Sequence, residues 1–406
     1  MRSVNHKAYR HRLSERLGIL PASLKPGGIV IHGASVGEVI ALKPLIESCL
    51  AQFSDIPITV TTFTPTGSEQ VTRLFGDRVQ HCYLPLDIMP CTASFLGKLD
   101  PRILVIMETE LWPNLVSQAH KRGTKLLLVN GRISDKSISS YKKFSALVKP
   151  CLQRFDHIFA QNPENQERFV RLGADAKKCT NGGNLKFDLS ATSNETKQAE
   201  LAAILPKNRP VIMVASSHQG DEELGFQAFK EVLRKLPDAL LAVVPRHPER
   251  FDTVFQLSKA HEFTTQRRSE SLPVGEQTNV WIMDSLGEMM AAFPLADLVV
   301  MGGSFSTIGG HNPLEPAVFR RPIITGGDMA NFDEIHQQLL NQQGIITLTA
   351  DSDNSAVADQ LAEQALKLLT DTEFAKQLGN NAYQVVASNK GATQRSVETI
   401  NELVNQ

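Results

Sequence analysis

The chain has 406 residues, more than one hydrophobic core usually serves, so we expect two domains. With 42% hydrophobic residues, 21% charged residues and a formal net charge of −1, its composition excludes a general attraction to nucleic acid. The five cysteines lack CxxC spacing, which argues against a disulfide framework or zinc site and favours a cytoplasmic compartment. We expect no membrane-spanning helix and no signal peptide, because no sufficiently long apolar run occurs.

The first sixteen residues are basic. Against the single acidic residue Glu15 they carry Arg2, Lys7, Arg10, Arg12 and Arg16. A segment of this kind can lie against anionic lipid head groups, although a solvated basic terminus would have the same composition.

Short β-branched or leucine-rich runs alternate with longer amphipathic stretches in the first half of the chain. They predict buried strands at Ile29–His32, Ile58–Phe63, Ile103–Met107, Leu126–Val129 and Ile158–Ala160. Because this βαβα rhythm builds a doubly wound parallel sheet, we predict a Rossmann-like domain over 1–189.

The strand signal lapses over 190–209, which we predict to be a linker that includes a short helical pattern. The second half repeats the rhythm, with strands predicted at Val211–Ala215, Leu240–Val244, Val280–Met283, Leu298–Met301, Pro322–Thr325 and Ile345–Leu348. We predict a second Rossmann-like α/β domain over 210–388 and a final helix over 389–406.

A glycine-rich stretch follows the predicted strand that ends at Met301, at the sheet edge where ligands bind in open parallel sheets. Its candidate binding residues are Gly302, Gly303, Ser304, His311, Asn312 and Glu315. Asn312 can cap a helix that starts at Pro313, and the glycines let backbone N–H groups approach an anion. Glu315 can either reach back in a capping box or face ribose hydroxyls. The glycines by themselves also fit a turn with a C-cap.

Two further loops follow strands of the same predicted sheet. Arg246 and His247 stand between prolines after Val244, where an arginine suits a bidentate phosphate contact. Ser216, Ser217 and His218 follow Ala215 and precede a predicted helix. Each loop alone fits a turn and N-cap, but three loops on one sheet edge predict a nucleotide site.

The first domain has three comparable loops. Ser35, Gly37 and Glu38 precede a predicted helix, where the helix dipole stabilises a carboxylate that could act as a general base. A capping carboxylate is the alternative for Glu38. Glu108 and Glu110 follow the strand predicted to end at Met107, and they are candidates for contacts with a ligand at this edge. His32 fits a satisfied buried histidine.

The sequence gives little support for a metal site. Asp351-Ser352-Asp353 has a spacing that can hold a divalent ion, but it precedes a helical pattern and fits an N-cap cluster. HExxH, Cys/His-cluster and P-loop motifs do not occur, and neither glycine loop matches GxGxxG. We therefore predict no metal and no dinucleotide cofactor.

Several ordered motifs resemble one family, the 3-deoxy-D-manno-octulosonic acid (Kdo) transferases of lipopolysaccharide assembly, which are inverting glycosyltransferases with the GT-B fold. The matching segments are Tyr9–Gly18, Ser35–Glu38, Glu108–Pro113, Asn130–Ser134, Gly183–Lys186, Pro245–Arg250, Gly302–Phe305 and Gly309–Glu315. The likeness runs from near residue 9 to beyond residue 330.

The resemblance implies two Rossmann-like domains that face each other across a cleft, with the C-terminal helix returning to the first. It implies CMP-Kdo as donor, a lipid A precursor as acceptor, and Glu38 as catalytic base. It puts the donor nucleotide near Arg246, His247, Gly302, Gly303, Asn312 and Glu315. Arg132, Lys186, Ser216, Ser217 and His218 are candidates for holding the Kdo carboxylate. A single departing phosphate needs no metal where cationic and N–H groups can hold it.

The resemblance also implies a site of action at the cytoplasmic face of the inner membrane. Family members usually begin with an apolar anchor, whereas this chain begins Met1-Arg-Ser-Val-Asn-His-Lys7. Either an anchor was removed or the basic segment binds the membrane peripherally. Two alternatives to Kdo transfer remain, a GT-B transferase or epimerase acting on a UDP-sugar and a non-catalytic sugar-nucleotide or lipid-binding protein.

Overall fold

The computed structural model describes residues 11–189, 195–348 and 354–406, and the chain divides into two compact units. The first unit is the chain up to Asp188 together with Asn389–Gln406, and the second is Leu189–Ser388. The stretch predicted to be a linker contains a helix, Glu195–Ile204, which belongs to the second unit.

The first unit is built on a seven-stranded parallel sheet in the order β3-β2-β1-β4-β5-β6-β7. Its strands are β1 (Ile29–His32), β2 (Ile58–Thr62), β3 (Gln80–Tyr83), β4 (Ile103–Met107), β5 (Lys125–Gly131), β6 (His157–Ala160) and β7 (Cys179–Asn181). Its helices are α1 (Leu13–Arg16), α2 (Val36–Gln52), α3 (Pro65–Phe75), α4 (Met89–Leu99), α5 (Pro113–Lys121), α6 (Asp135–Lys143), α7 (Ser145–Gln153) and α8 (Pro163–Arg171).

The second unit repeats the plan with a parallel sheet in the order β10-β11-β9-β8-β12-β13-β14. Its strands are β8 (Val211–Ser217), β9 (Leu240–Pro245), β10 (Thr265–Arg267), β11 (Val280–Ile282), β12 (Leu298–Met301), β13 (Ile323–Thr325) and β14 (Ile346–Thr347). Its helices are α9 (Glu195–Ile204), α10 (Asp221–Lys235), α11 (Phe251–Ala260), α12 (Met289–Ala292), α13 (Leu314–Ala317), α14 (Asp333–Asn341), α15 (Asn354–Thr370) and α16 (Thr372–Asn389).

The central strands form where apolar residues run without interruption. Successive residues of a strand face opposite sides of the sheet, and in the first unit Val30 and Leu104 enter one core while Ile29 and Val105 enter the other. Because helices cover both faces, these strands need apolar side chains at every position. The prediction of two doubly wound parallel α/β sheets is confirmed.

The final helix, α17 (Ala392–Val404), packs on the first unit. Its buried Val397 and Ile400 join the core that α2 and the central strands form. The Asp188 carboxylate accepts hydrogen bonds from Gly391 N at 2.7 Å and from Thr393 N, and so satisfies N–H groups at the start of the helix. The helix therefore completes the core of the first unit.

We predict that Ile400→Ala destabilises the first unit by about 2–4 kcal/mol, because a fully buried side chain is truncated and leaves a cavity. Urea unfolding followed by tryptophan fluorescence in a Trp281→Phe background measures this effect, because Trp112 is then the one remaining tryptophan. Leu147→Ala, an equal truncation at a side chain that is 58% exposed, should change the stability by less than about 0.5 kcal/mol. Equal effects of the two truncations would contradict this account of α17.

Candidate functional site

The first candidate site lies at the carboxyl ends of β1 and β4, where the strand order of the first sheet reverses. Loops that leave such a switch point turn to opposite sides and open a crevice beyond the strands. Glu38 stands in the first turn of α2 after β1, while Glu108 and Glu110 follow β4. The structure thus brings Glu38 together with two carboxylates from a distant part of the sequence.

Both carboxylate oxygens of Glu38 accept hydrogen bonds from the loop before α2. Ala34 N donates to Oε2 and Ser35 Oγ to Oε1, each at 2.8 Å. Ser35 is the N-cap residue of α2, and its Oγ also accepts a long 3.5 Å hydrogen bond from Glu38 N. Glu38 therefore forms the capping contacts that the sequence left as an alternative, and these contacts fix its orientation.

The environment of Glu38 nevertheless favours the protonated form. Burial, with smaller contributions from the charges of Glu108 and Glu110, raises the pKa of its carboxyl to about 7 against the lowering by the Ala34 and Ser35 hydrogen bonds. A carboxyl that titrates near neutral pH is suited to proton transfer. The capping hydrogen bonds thus orient the Glu38 carboxyl, which can be protonated or ionised near neutral pH.

Glu108 ends its strand instead of continuing it. Its backbone is left-handed, with φ 58°, and β4 stops at Met107, so Glu108 and Glu110 lie in the loop after the strand. Burial, together with the neighbouring Glu108 charge, raises the pKa of Glu110, and the Trp112 side chain lowers it. Both carboxylates act on Glu38 because the chain turns at this point.

The end of β5 brings two predicted cations to the same edge of the sheet. Arg132 follows β5, is exposed, and its carbonyl accepts a hydrogen bond from Thr109 Oγ1 in the loop after β4. The segment that carries Lys186 is held by Asn130, whose side chain accepts from Leu185 N at 2.9 Å. Backbone contacts thus tie both residues to the loops at this edge.

His32, the last residue of β1, is fully buried. Its Nδ1 lies 3.0 Å from Thr61 Oγ1, but its Nε2 has no hydrogen-bond partner in the part of the chain that the structure describes. Burial lowers the pKa of His32 to about 4, so the ring is neutral. The prediction of a satisfied buried histidine is correct for one ring nitrogen only.

The second candidate site lies at the carboxyl ends of β8 and β12, the switch point of the second sheet. Ser216 has a left-handed backbone with φ 54°, and the register between β8 and β9 shifts at this point. Gly302 packs so closely that a Cβ would lie 2.5 Å from Ser216 O, and Ser217 O accepts from Arg246 N at 3.0 Å. The irregular end of β8 therefore holds both neighbouring loops.

Asp221, the first residue of α10, joins two of these loops. Its Oδ2 accepts hydrogen bonds from His218 N at 2.8 Å and from Gly303 N at 2.7 Å. Burial raises its pKa to about 6 against these two hydrogen bonds, and Oδ1 lacks a partner among the described residues. Asp221 was not among the predicted site residues, although its position directly after the His218 loop could have indicated it.

Three histidines meet beside Arg246. His218 Nε2 lies 2.8 Å from His311 Nε2, with the rings stacked, and the His247 ring meets the His218 ring edge-on at 5.2 Å between centroids. Burial, Arg246 and the neighbouring imidazoles lower the pKa of His311 to about 4, and burial with the same kinds of neighbour lowers that of His218. An added phosphate would relieve this positive potential.

A buried ion pair supports the same loops. Arg250 Nη2 donates to Glu222 Oε2 at 2.9 Å, and Ser217 Oγ donates to Glu222 Oε1 at 2.9 Å. Glu222 is fully buried, so removal of either partner would leave a charge without compensation. Arg250 and Glu222 were not among the predicted site residues.

The Asn312 segment forms less helix than predicted. The helix starts at Leu314, not at Pro313, and α13 is a single turn, with Leu314 N donating to Asn312 Oδ1 at 3.1 Å. Glu315 is not engaged in a capping box with Asn312 in the described contacts, and burial raises its pKa to about 7 while Arg246 lowers it. This segment therefore offers no long helix N-terminus, and the N–H groups of Gly302, Gly303, Gly309 and Gly310 donate within the protein.

Ser304 stabilises the glycine-rich loop from inside. Its side chain is buried, donates to Met301 O at 2.6 Å and accepts from Gly326 N at 2.8 Å. Gly303, Gly309 and Gly310 have φ of 70°, 92° and 70°, which side chains rarely adopt. These glycines have a conformational function, so the turn proposed as an alternative is present within the site.

Within the described residues no group of three or more His, Cys, Asp or Glu side chains is placed to hold a metal ion. Asp351-Ser352-Asp353, the spacing considered in the sequence, lies outside the described residues. Over the described chain, none of the helices combines the length and apolar character needed to cross a membrane.

Two parallel sheets, each with polar side chains gathered at its switch point, define a two-unit, doubly wound α/β protein. UDP-GlcNAc 2-epimerase from Neisseria meningitidis aligns with 93% of this chain and 100% of its own at a TM-score of 0.61 and 14% identity. A glycosyltransferase from Rickettsia africae aligns with 93% of this chain and 99% of its own at a TM-score of 0.59 and 13% identity. These likenesses show the GT-B fold alone.

The sequence comparisons are more specific. The family model described as 3-deoxy-D-manno-octulosonic-acid transferase (kdotransferase) matches residues 11–189. The 3-deoxy-D-manno-octulosonic acid transferase of Haemophilus influenzae is 38% identical over 98% of this chain and 92% of its own, and that of Bordetella pertussis is 30% identical over 92% and 86%. The chain belongs to the 3-deoxy-D-manno-octulosonic acid transferase family, and the predicted resemblance is confirmed.

We predict that two substitutions move the pKa of Glu38 in opposite directions. Ser35→Ala removes a hydrogen bond to the carboxylate and should raise the pKa above about 7, whereas Glu108→Gln removes a like charge and should lower it. Carboxyl ¹³C NMR titration measures both shifts, with Glu38→Gln assigning the resonance. Glu69→Gln, far from the site in sequence and on the separate helix α3, is the charge-matched control. Shifts of the same sign in Ser35→Ala and Glu108→Gln would contradict the described contacts.

Proposed function

We propose that the protein transfers Kdo from CMP-Kdo to a lipid A precursor, with inversion at the anomeric carbon. The observation that carries this proposal is that the two switch points hold complementary groups. One holds a carboxyl whose pKa is about 7, and the other holds a cluster of imidazoles and a guanidinium. Family membership supports the transfer of Kdo, because both reported relatives are named 3-deoxy-D-manno-octulosonic acid transferase.

In the proposed reaction Glu38 is the general base. Its ionised carboxylate takes the proton of an acceptor sugar hydroxyl while the hydroxyl oxygen bonds to the anomeric carbon of Kdo. The bond from that carbon to the phosphate oxygen breaks, and CMP departs with the electron pair. The fixed orientation of Glu38 by Ala34 N and Ser35 Oγ supports this role, because a positioned base avoids reorganisation during the step.

The second switch point would hold the donor. Arg246, His218 and His311 supply charge and N–H groups for the single phosphate, on which negative charge develops as CMP leaves. Glu315 lies close enough to Arg246 for its pKa to respond and could accept from a ribose hydroxyl. We infer that this donor seat acts without a metal.

Exposed apolar side chains on the first unit support a peripheral contact with the membrane that carries the acceptor. They are 40–62% exposed and comprise Leu13, Leu17, Ile19, Leu86, Ile88 and Met89. Leu86 N donates to Arg16 O at 2.8 Å, which joins the two segments into one apolar patch. We infer that this patch meets the cytoplasmic face of the inner membrane.

The basic residues of the same segment contribute less than their charge suggests. Arg12 bonds Glu15 at 2.6 Å, and the Arg16 guanidinium stacks over the Phe63 and Tyr83 rings. Both arginines therefore fasten α1 to the first unit and are not available to lipid head groups. Arg2, Lys7 and Arg10 lie outside the described residues.

We predict that Glu38→Gln lowers the transfer rate by about 10²- to 10⁴-fold while CMP affinity is kept, because only the proton acceptor is lost.

Arg246→Ala should weaken CMP binding by about 1–2 kcal/mol, since an exposed charge-assisted contact to phosphate is removed. Mass spectrometry of products from CMP-Kdo and lipid A precursor, with and without a chelator, measures transfer, and calorimetry measures binding.

The two variants serve as controls for each other, and UDP replaces CMP as the ligand control. Near wild-type turnover of Glu38→Gln would remove Glu38 from the role of base. Unchanged CMP affinity in Arg246→Ala would contradict the assignment of Arg246 to the donor site. Thermal protection by UDP in place of CMP would favour a UDP-sugar substrate.

We predict that Ile19→Glu reduces binding to vesicles of anionic phospholipid by about tenfold, because burial of an exposed isoleucine in the interface is lost and a like charge is added. Vesicle co-sedimentation measures this change. Leu272→Glu, at an equally exposed leucine of the second unit, should bind as the wild type does. Equal losses in both variants would argue against the patch.

A further inference from the structure

A cavity lies within the second unit, at the amino ends of its strands. It has a volume of about 630 Å³, within the range of small-molecule sites. Its walls come from the end of α9 through Val211, from the segment before β12, from Arg320–Pro322, and from the junction of α15 and α16. None of the predicted donor-site residues lines it.

The charges around this cavity are almost all positive. The basic residues that line it are Lys207, Arg209, Arg320, Arg321 and Lys376, and Asp297 is the one acidic residue among the described lining. Asp297 is already engaged, because its Oδ2 accepts from Val211 N at 2.9 Å. The cavity therefore carries uncompensated positive charge and would attract an anion.

Arg321 adds a specific hydrogen-bond donor. Its Nη2 donates to Pro294 O at 2.7 Å, but its Nε is buried and has no partner in the described part of the chain. The contact with Pro294 O is to a neutral carbonyl, so the guanidinium charge of Arg321 remains at the cavity wall and favours an anion there. Arg209 differs, because its guanidinium is used by the carbonyls of Asp238, Ala239 and Thr278.

The remaining wall is apolar. Leu205, Leu295, Leu368 and Leu369 line the cavity together with Pro206, Pro210, Pro322 and Ala375. A small hydrated ion would leave this surface unused, whereas a molecule with an apolar body would bury it. The lining thus combines a cationic side with a hydrophobic side.

The cavity is separate from the donor site. Val211 begins β8 and lines the cavity, while Ser217 ends the same strand at the donor loops, about 20 Å away at roughly 3.3 Å per residue. The two ends are still linked, because Arg321 N donates to Pro316 O at 3.2 Å in the turn that carries Glu315. A ligand here would not block the donor nucleotide.

We propose that this cavity binds an amphiphilic anion, in which a phosphate or carboxylate group meets Arg321 and the rim lysines Lys207 and Lys376 while an apolar body packs on the leucines. Lys207 is exposed, and the 3.0 Å pair of Lys376 with Glu373 is exposed on both sides and therefore weak. The inference does not depend on the sugar transferred or on Glu38.

The test is calorimetric titration of the full chain with octyl phosphate below its micelle concentration. Inorganic phosphate and octyl glucoside serve as the two partial probes. We expect octyl phosphate to be the one probe of the three that binds, or to bind at least about tenfold more tightly than inorganic phosphate or octyl glucoside. Saturating CMP should leave the affinity for octyl phosphate unchanged. The Lys207→Glu/Lys376→Glu variant should weaken it by at least about tenfold, because two favourable charges become repulsive. Lys235→Glu/Lys259→Glu, the same change at exposed lysines elsewhere, should bind as the wild type does.

Four results would overturn the proposal. Failure of the wild type to bind octyl phosphate, or equal affinity in the two double variants, would remove the site. Competition by CMP would assign the binding to the donor seat instead. Inorganic phosphate binding as tightly as octyl phosphate would overturn the amphiphile and leave a simple anion site.

Discussion

The reversal of strand order in each sheet is the constraint on which both candidate sites depend. At β1 and β4, and again at β8 and β12, neighbouring parallel strands end side by side while their connections leave for opposite faces. The backbone there has no next strand or helix to bond immediately, so its N–H groups must find other partners. In the first unit Glu38 and Ser35 provide them, and in the second Asp221 provides them. The same loops that need these acceptors are the ones that can receive a ligand.

The acidic groups at these ends share one physical conflict. Burial raises the pKa of Glu38, Asp221 and Glu315, while hydrogen bonds or Arg246 lower it. Neither influence is complete, so these carboxyls lie near the point where their charge can change. Glu222 is different, because it forms an ion pair with Arg250 in addition to its hydrogen bond from Ser217, and we therefore regard it as a structural support for the loops.

The central fold was predictable because its strands are continuous apolar runs, but three strands were missed. β3, β7 and β10 are short edge strands, and their residues, such as Gln80, Thr180 and Gln266, are polar or half exposed. An edge strand is defined by its single neighbour and not by an apolar pattern of its own. Glu38 was predictable for the opposite reason, since a cap position is a local property. The pairing of His218 with His311, 93 positions apart, depends on the packing of loops that no local pattern contains.

The two switch points differ in the sign of the charge that they collect. The first gathers Glu38, Glu108 and Glu110, where burial, and after it the charges of Glu108 and Glu110, raise the pKa of Glu38 to about 7. The second gathers Arg246 and three imidazoles, where burial, and after it the positive charge of Arg246, lower the pKa of His311 to about 4. Within the second cluster Arg246 lowers the pKa of Glu315 against the larger effect of burial, and an ionised carboxylate there would oppose a phosphate. Separation of the two functions on two sheets therefore lets each group keep the pKa that its proposed role requires.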